Sequence, residues 1–114
     1  MPQDNQGKKV VIRIYRIYFD MLKNQSKTIE VRVGYPSMKK IRVGDVIWFN
    51  DDPGCKRRVK RIGSYNSFRE MMKSEDPKKI NPNDSAEQQL SDIGKIYPPH
   101  KEKLGVLTFE LEAV

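Results

Sequence analysis

The chain has 114 residues, a formal net charge of +7 and a single cysteine, with 37% hydrophobic and 32% charged residues. That length carries one domain around one core, and no apolar run approaches the roughly 20 residues that cross a bilayer as a helix. Cys55 alone excludes an internal disulfide, so a reducing, cytoplasmic setting is expected. With His100 the only histidine, no metal site and no cofactor is expected, because transition-metal sites draw mainly on Cys and His.

In chain order, residues 1–7 lack the apolar stretch of a signal peptide and read as a disordered tail before a domain spanning 8–114. Residues 8–14 are rich in β-branched side chains and predict a strand. From Tyr15 the period changes, and Ile14, Tyr18, Met21 and Leu22 recur at helical spacing to about Lys23. Asn24-Gln25-Ser26 is a polar stop. The stretch 28–33 then alternates as a strand, with Ile29, Val31 and Val33 on one face and Thr28, Glu30 and Arg32 on the other.

Gly34-Tyr35-Pro36-Ser37 ends that strand, and Gly44-Asp45 turns into Val46-Ile47-Trp48-Phe49, a continuous apolar run that predicts a strand buried on both faces. Asn50–Gly54 is a loop signal. Residues 55–62 predict a strand with an irregular pattern that suggests a bulge, closed by Gly63-Ser64-Tyr65. Ser67 to Glu70 is a capping box opening a helix. Residues 75–83 are Pro-rich and irregular apart from one turn, and a second helix starts at Asp84 or Ser85 and stops at Pro98-Pro99. Residues 105–112 alternate as a closing strand. Strands in succession joined by short turns, with helices inserted late, predict an α+β domain: a small, mostly antiparallel β-barrel with flanking helices.

Lys27-Thr28-Ile29-Glu30-Val31-Arg32, the Gly44-Asp45 turn, Tyr65-x-Ser67-Phe68 and Ile96-Tyr97-Pro98 follow in the order seen in the ASCH domain family of the PUA-like superfamily, which the chain resembles from about residue 8 to 114. The resemblance implies a barrel with a cleft beside it and RNA binding. It also implies that hydrolase activity is possible, since some members deacetylate 4-acetylcytidine and others have been assigned ribonuclease activity. Of the family hallmark G-x-K-x-x-E-x-R, Lys27, Glu30 and Arg32 match, while Gln25 stands where Gly belongs, at a turn the family closes with positive φ. The amidohydrolase branch uses the hallmark Lys, a Thr three residues later and a Glu from the insert before the last helix. Lys27 fits, Glu30 replaces the Thr, and Pro82 falls near the acid's place, with Glu75 and Glu87 the nearest carboxylates.

Glu30 and Arg32 are neighbours on one strand face, and either an ordinary ion pair or the lining of a cleft accounts for them. In a cleft, Arg32 offers a planar fork to a phosphate or base edge, Glu30 orients it, and Lys27 adds a point charge. In an enzyme, Lys27 and Glu30 would be the catalytic pair. Five basic residues within Cys55–Arg61, Arg57, Arg58 and Arg61 among them, suggest a track for a phosphate backbone. Tyr35 and Tyr65, at turn boundaries, are the candidates for stacking on a base, whereas Trp48 and Phe68 read as core and Tyr97 as packing. The leading expectation is a monomeric RNA-binding module. The alternatives are a metal-independent hydrolase acting on a modified nucleoside or RNA, and an interaction module for the transcription or translation machinery.

Overall fold

The computed structural model describes residues 7–114, so all of the expected N-terminal tail except Gly7 lies outside the described residues. Five strands, β1 (Lys9–Ile12), β2 (Ile29–Val33), β3 (Val46–Phe49), β4 (Lys56–Tyr65) and β5 (Val106–Ala113), form one sheet in the order β1-β3-β4-β5-β2. Around it lie α1 (Arg16–Lys23), α2 (Pro36–Lys39), α3 (Phe68–Ser74), α4 (Pro77–Ile80), α5 (Ala86–Ile96) and α6 (Pro99–Glu102). β1 runs parallel to β3, and every other pairing is antiparallel. Among the described residues no helix is long and apolar enough to cross a membrane.

The fold is α+β with a mixed sheet, and the expected closed barrel needs correction, because β1 and β2 are its two edges and share no ladder. The reason lies just past β1. The Ile14 amide stays on the β3 side, donating to the Asn50 side chain at 2.8 Å, and two residues later the chain turns away into α1. The strand therefore stops before it can pair with β2. Where a ladder would close the sheet, a side chain crosses instead: Arg32 Nη2 donates to the Arg13 carbonyl at 2.9 Å.

Two apolar clusters hold these elements. The first joins Phe19 and Leu22 of α1 to Ile12, Ile47, Phe49, Val59, Phe109 and Leu111 of the sheet. The second joins Ile29, Val33 and Val106 to Phe68, Met71 and Met72 of α3 and to Ile80, with α5 packed outside. Burial of such side chains, at about 1.5–3 kcal/mol each, is the main force available to a chain of this size. Glu30 pairs opposite Phe109 and Arg32 opposite Leu107. Directly opposed residues share a face, so these two polar side chains lie on the side of the first cluster, at the edge where the sheet stays open.

Local chemistry sets the helix starts. Ser67 Oγ accepts from the Glu70 amide at 3.0 Å, and Ser85 rather than Asp84 caps α5, accepting from the Gln88 amide at 3.1 Å. The single turn in the Pro-rich insert is α4, capped by Asp76 with Pro77 in its first turn. Two boundaries differ from expectation. β4 continues through Gly63-Ser64-Tyr65, paired with β5 as far as Tyr65 and Val106, with a register shift between Val59 and Arg61. Gly63 permits this because a Cβ there would run into Thr108 Oγ1 and, at 2.7 Å, Glu75 Oε2. β3 is not buried on both faces: Ile47 and Phe49 enter the core, whereas Val46 and Trp48 are only half-buried, on the face turned away from the first apolar cluster.

Gln25 has φ of +67°, so the turn before β2 adopts the left-handed conformation without glycine. That conformation costs an L-residue about 1–2 kcal/mol. Gln25→Gly is therefore expected to raise stability by up to about 1 kcal/mol, once glycine's extra unfolded-state entropy is subtracted. A chemical denaturation midpoint that falls for this variant would show that the Gln25 side chain contributes more than its backbone costs.

Candidate functional site

A cleft of about 440 Å³ opens along the unpaired edge of the sheet. Its floor is β2 with Lys27, Glu30 and Arg32; its walls are the end of the β1 segment, α1, and the face of α5 carrying Gln89, Asp92, Ile93 and Ile96. Tyr15, Tyr18 and Tyr97 supply aromatic surface. The volume lies within the range of small-molecule sites, which are mostly apolar with a few converging polar groups.

The polar floor is connected throughout. Lys27 Nζ donates to the Ile29 carbonyl at 2.7 Å and the Ile80 carbonyl at 2.9 Å, and pairs with Glu30 Oε1 at 3.2 Å. Glu30 Oε2 accepts from Arg32 Nε at 2.7 Å and pairs with Nη2 at the same distance. Lys27 and Glu30 are 4% and 5% exposed, so this is no solvated surface row. Arg32 is partly exposed, and its Nη1 carries none of these bonds. The fork is fixed on its Nε and Nη2 side, and Arg32 lines the cleft.

The charges respond accordingly. Burial alone would push the Glu30 carboxyl up, but Lys27 and Arg32 beside it hold it below the ordinary carboxylate value. Burial lowers the Lys27 ammonium from its ordinary value, with Glu30 acting in the opposite sense. Its three N–H groups each face an acceptor, an arrangement that fits the charged form. Burial raises Tyr18 and Tyr97, which keeps both phenols protonated as hydrogen-bond donors.

The remaining residues singled out by sequence lie elsewhere. Arg57 donates to the Leu22 carbonyl at 2.8 Å and so caps the end of α1. Arg58 donates to the Gly44 carbonyl at 3.1 Å. Arg61 forks onto Glu75, at 2.5 and 3.2 Å, and reaches Glu110 at 2.6 Å. Tyr65 donates to Glu75 at 2.6 Å, and Thr108 donates to the same carboxylate at 2.8 Å. Glu75 is thereby the centre of a second, structural network and is absent from the cleft lining. Tyr35 packs against the second apolar cluster with Lys101 over its ring at 5.3 Å, so the rim role expected of Tyr35 and Tyr65 falls to Tyr15, Tyr18 and Tyr97. Tyr97 also packs as expected, stacked on Phe68 at 5.7 Å.

Sequence reasoning missed Tyr18, Gln89 and Asp92. The helical period gave Tyr18 to a core-facing stripe, and nothing local indicated that the stripe ends at an open sheet edge. Gln89 is 4% exposed, and its Nε2 lies within 3.2 Å of the Pro77, Asn81 and Asp84 carbonyls, holding the α4–α5 connection against the cleft.

The ASCH domain model matches residues 12–114. The chain belongs to the ASCH domain family. Among solved structures, hypothetical protein PH0355 is similar at 30% identity with a TM-score of 0.83, covering 93% of this chain and 99% of that one. The solution structure of protein PF0455 from Pyrococcus furiosus is similar at 33% identity with a TM-score of 0.73, covering 91% and 96%. A mutant of ZmASCH from Zymomonas mobilis shares the fold at 16% identity with a TM-score of 0.65, covering 93% of this chain and 68% of that one. Comparison with curated proteins finds no match. In this ASCH domain the hallmark positions Lys27, Glu30 and Arg32 meet in one cleft, and Gln25 keeps positive φ where the hallmark has Gly.

Removing one member of a buried ion pair strands the other, at a cost of about 3–5 kcal/mol. Glu30→Ala is expected to lose stability in that range, measured by urea unfolding. The wild-type acid limb follows the same logic. Glu30, Glu75 and Glu110 titrate below their ordinary value of 4.5 when folded. Their contribution is therefore complete above that pH and is lost as pH falls through the folded values. A stability profile that stays flat down to pH of about 3 would contradict this assignment.

Proposed function

We propose that the cleft binds one nucleotide of an RNA, or a free modified nucleoside, with its base between the aromatic walls and its polar edge or phosphate on Arg32. The observation that carries this reading is the cleft-lining Arg32 guanidinium, anchored through Nε and Nη2 by Glu30 and the Arg13 carbonyl, with Nη1 outside those bonds. A fixed planar fork suits a phosphate or base edge better than a mobile lysine does. Stacking on Tyr15, Tyr18 or Tyr97 requires a planar ligand, and single-stranded RNA is recognised through splayed bases of this kind. Membership of the ASCH family supports the same class of ligand.

Hydrolysis is the weaker reading, on geometry. No Ser, Thr, Cys or His lines the cleft among the described residues. Thr28, the nearest hydroxyl in sequence, lies outside the lining, with its amide on the Lys79 carbonyl and its own carbonyl accepting from Leu111. Lys27, the base such a reaction would need, holds all three of its protons against acceptors. Lys27→Ala does not separate binding from catalysis, because it removes a buried charge from the floor.

Arg32→Ala is the informative variant, since it leaves Glu30 paired with Lys27. It is expected to weaken binding by about 1.5–3 kcal/mol, the range for a hydrogen bond to a charged group, while the circular dichroism spectrum stays that of the folded domain and unfolding stays cooperative at a lowered midpoint, because the Glu30 and Arg13 contacts of Arg32 are lost. The measurement is a panel of short RNAs and modified nucleosides, 4-acetylcytidine included, read by mass spectrometry for complex and product. Unchanged binding in Arg32→Ala would place the ligand elsewhere, and release of acetate or cleaved RNA would make the domain an enzyme.

A further inference from the structure

The outer face of β1, β3 and β4 carries the chain's only tryptophan and a concentration of cations that the cleft does not use. A groove of about 470 Å³ runs there, with Lys9, Val46, Trp48, Lys56 and Arg58 in its walls and no acidic side chain among its described lining residues, although Glu112 stands opposite Arg58 at its edge. Sheet register builds it. Val11, Trp48 and Lys56 are direct partners in one row across the three strands, and Lys9, Val46 and Arg58 in the next. Strand alternation puts both rows on the face opposite Ile47 and Phe49.

Trp48 is half-buried, with Lys9 Nζ 3.8 Å and Lys56 Nζ 5.1 Å from its ring. Two ammonium groups converging on one indole repel each other, and the aromatic ring compensates each by only about 0.5–1 kcal/mol at an exposed site. An anion between them relieves that repulsion. The ion pair Lys9 makes with Asp51, at 3.1 Å, is half exposed on both sides and exchanges readily for a stronger anion. The Gly44 carbonyl takes one of the five N–H groups of Arg58.

We propose that this groove is a second site, binding single-stranded nucleic acid with one base stacked on Trp48 and the flanking phosphates on Lys9, Lys56 and Arg58. A planar hydrophobic ring among cations is the combination that sequence-tolerant single-strand binding uses. An acidic peptide would need the cations and have no use for the ring. Of the five basic residues of the 55–61 segment, Lys56 and Arg58 line the groove, Arg57 and Arg61 are held by the protein itself, and Lys60 is exposed outside the groove lining. The proposal does not depend on what the cleft binds.

Because Trp48 is the only tryptophan, fluorescence of the full chain excited beyond the tyrosine absorption band reports on this groove and not on the tyrosines of the cleft. Titration with a short oligouridylate at low salt is expected to quench Trp48. Affinity should fall with salt at a log–log slope near −2, from about three phosphate contacts at roughly 0.7 each. Lys9→Gln with Lys56→Gln should flatten that slope. Trp48→Leu should weaken binding at least about fivefold by anisotropy of a labelled oligouridylate, the lower bound for loss of one stacked base. Quenching should persist in Arg32→Ala, which separates this site from the cleft. Binding without quenching, quenching abolished by Arg32→Ala, equal quenching by polyaspartate, or no binding at all would each overturn the proposal.

Discussion

The buried chain of charge from Lys27 through Glu30 to Arg32 is the interaction on which the rest of this ASCH domain depends. It stands where the sheet fails to close, and it does what a backbone ladder would otherwise do. Lys27 ties the start of β2 to the Ile80 carbonyl at the end of α4, and Arg32 ties β2 to the end of the β1 segment. Taking Lys27 and Glu30 out of water carries a penalty of several kcal/mol per ion. The geometry offsets it: Lys27 Nζ faces three acceptors, and both Glu30 oxygens are engaged. An apolar plug would seal that edge equally well. The polar solution leaves a fixed guanidinium facing a cavity.

The same economy of partners sorts the basic residues. A net charge of +7 suggests a surface coated with cations, but several of the arginines have internal duties. Arg57 caps α1, and Arg61 joins β4 to α3 and β5 through Glu75 and Glu110. Glu75, 7% exposed, accepts from Arg61, Tyr65 and Thr108, and Gly63 leaves room for it beneath β4. Two carboxylate-centred networks, around Glu30 and around Glu75, thus brace the sheet from opposite faces. They look alike in sequence, as a Glu with basic and hydroxyl neighbours, but the first opens onto the cleft, whose lining does not include Glu75.

Much of this organisation was legible in the sequence because it is local. The period change at Tyr15, the Ser67–Glu70 capping box and the alternation along β2 and β5 each mark an element whose partners lie nearby in the chain. The joining of Lys27, Glu30 and Arg32 was legible for the same reason, and positive φ at Gln25 followed from the hallmark it departs from. What depends on distant packing was not legible. Whether the sheet closes depends on how β1 and β2 come to lie in space, and α1 begins at Arg16 before the β1 segment can pair with β2. Whether Trp48 is core or surface depends on which face of β3 the first apolar cluster takes, and it takes that of Ile47 and Phe49. The cleft's aromatic walls, Tyr18 and Tyr97, come from helices that only the tertiary fold brings to one edge.

The central claim is that Lys27 is a charged structural anchor and that Arg32 is the group offered to a ligand. The most direct measurement is the nitrogen resonance of the Lys27 side chain, followed by NMR through neutral pH in the wild-type domain. The account predicts an ammonium in slow hydrogen exchange, protected by its three acceptors, that neither titrates nor shifts through this range. A neutral Lys27 amine, or one that titrates near neutrality, would contradict it and make the cleft the site of a base-catalysed reaction.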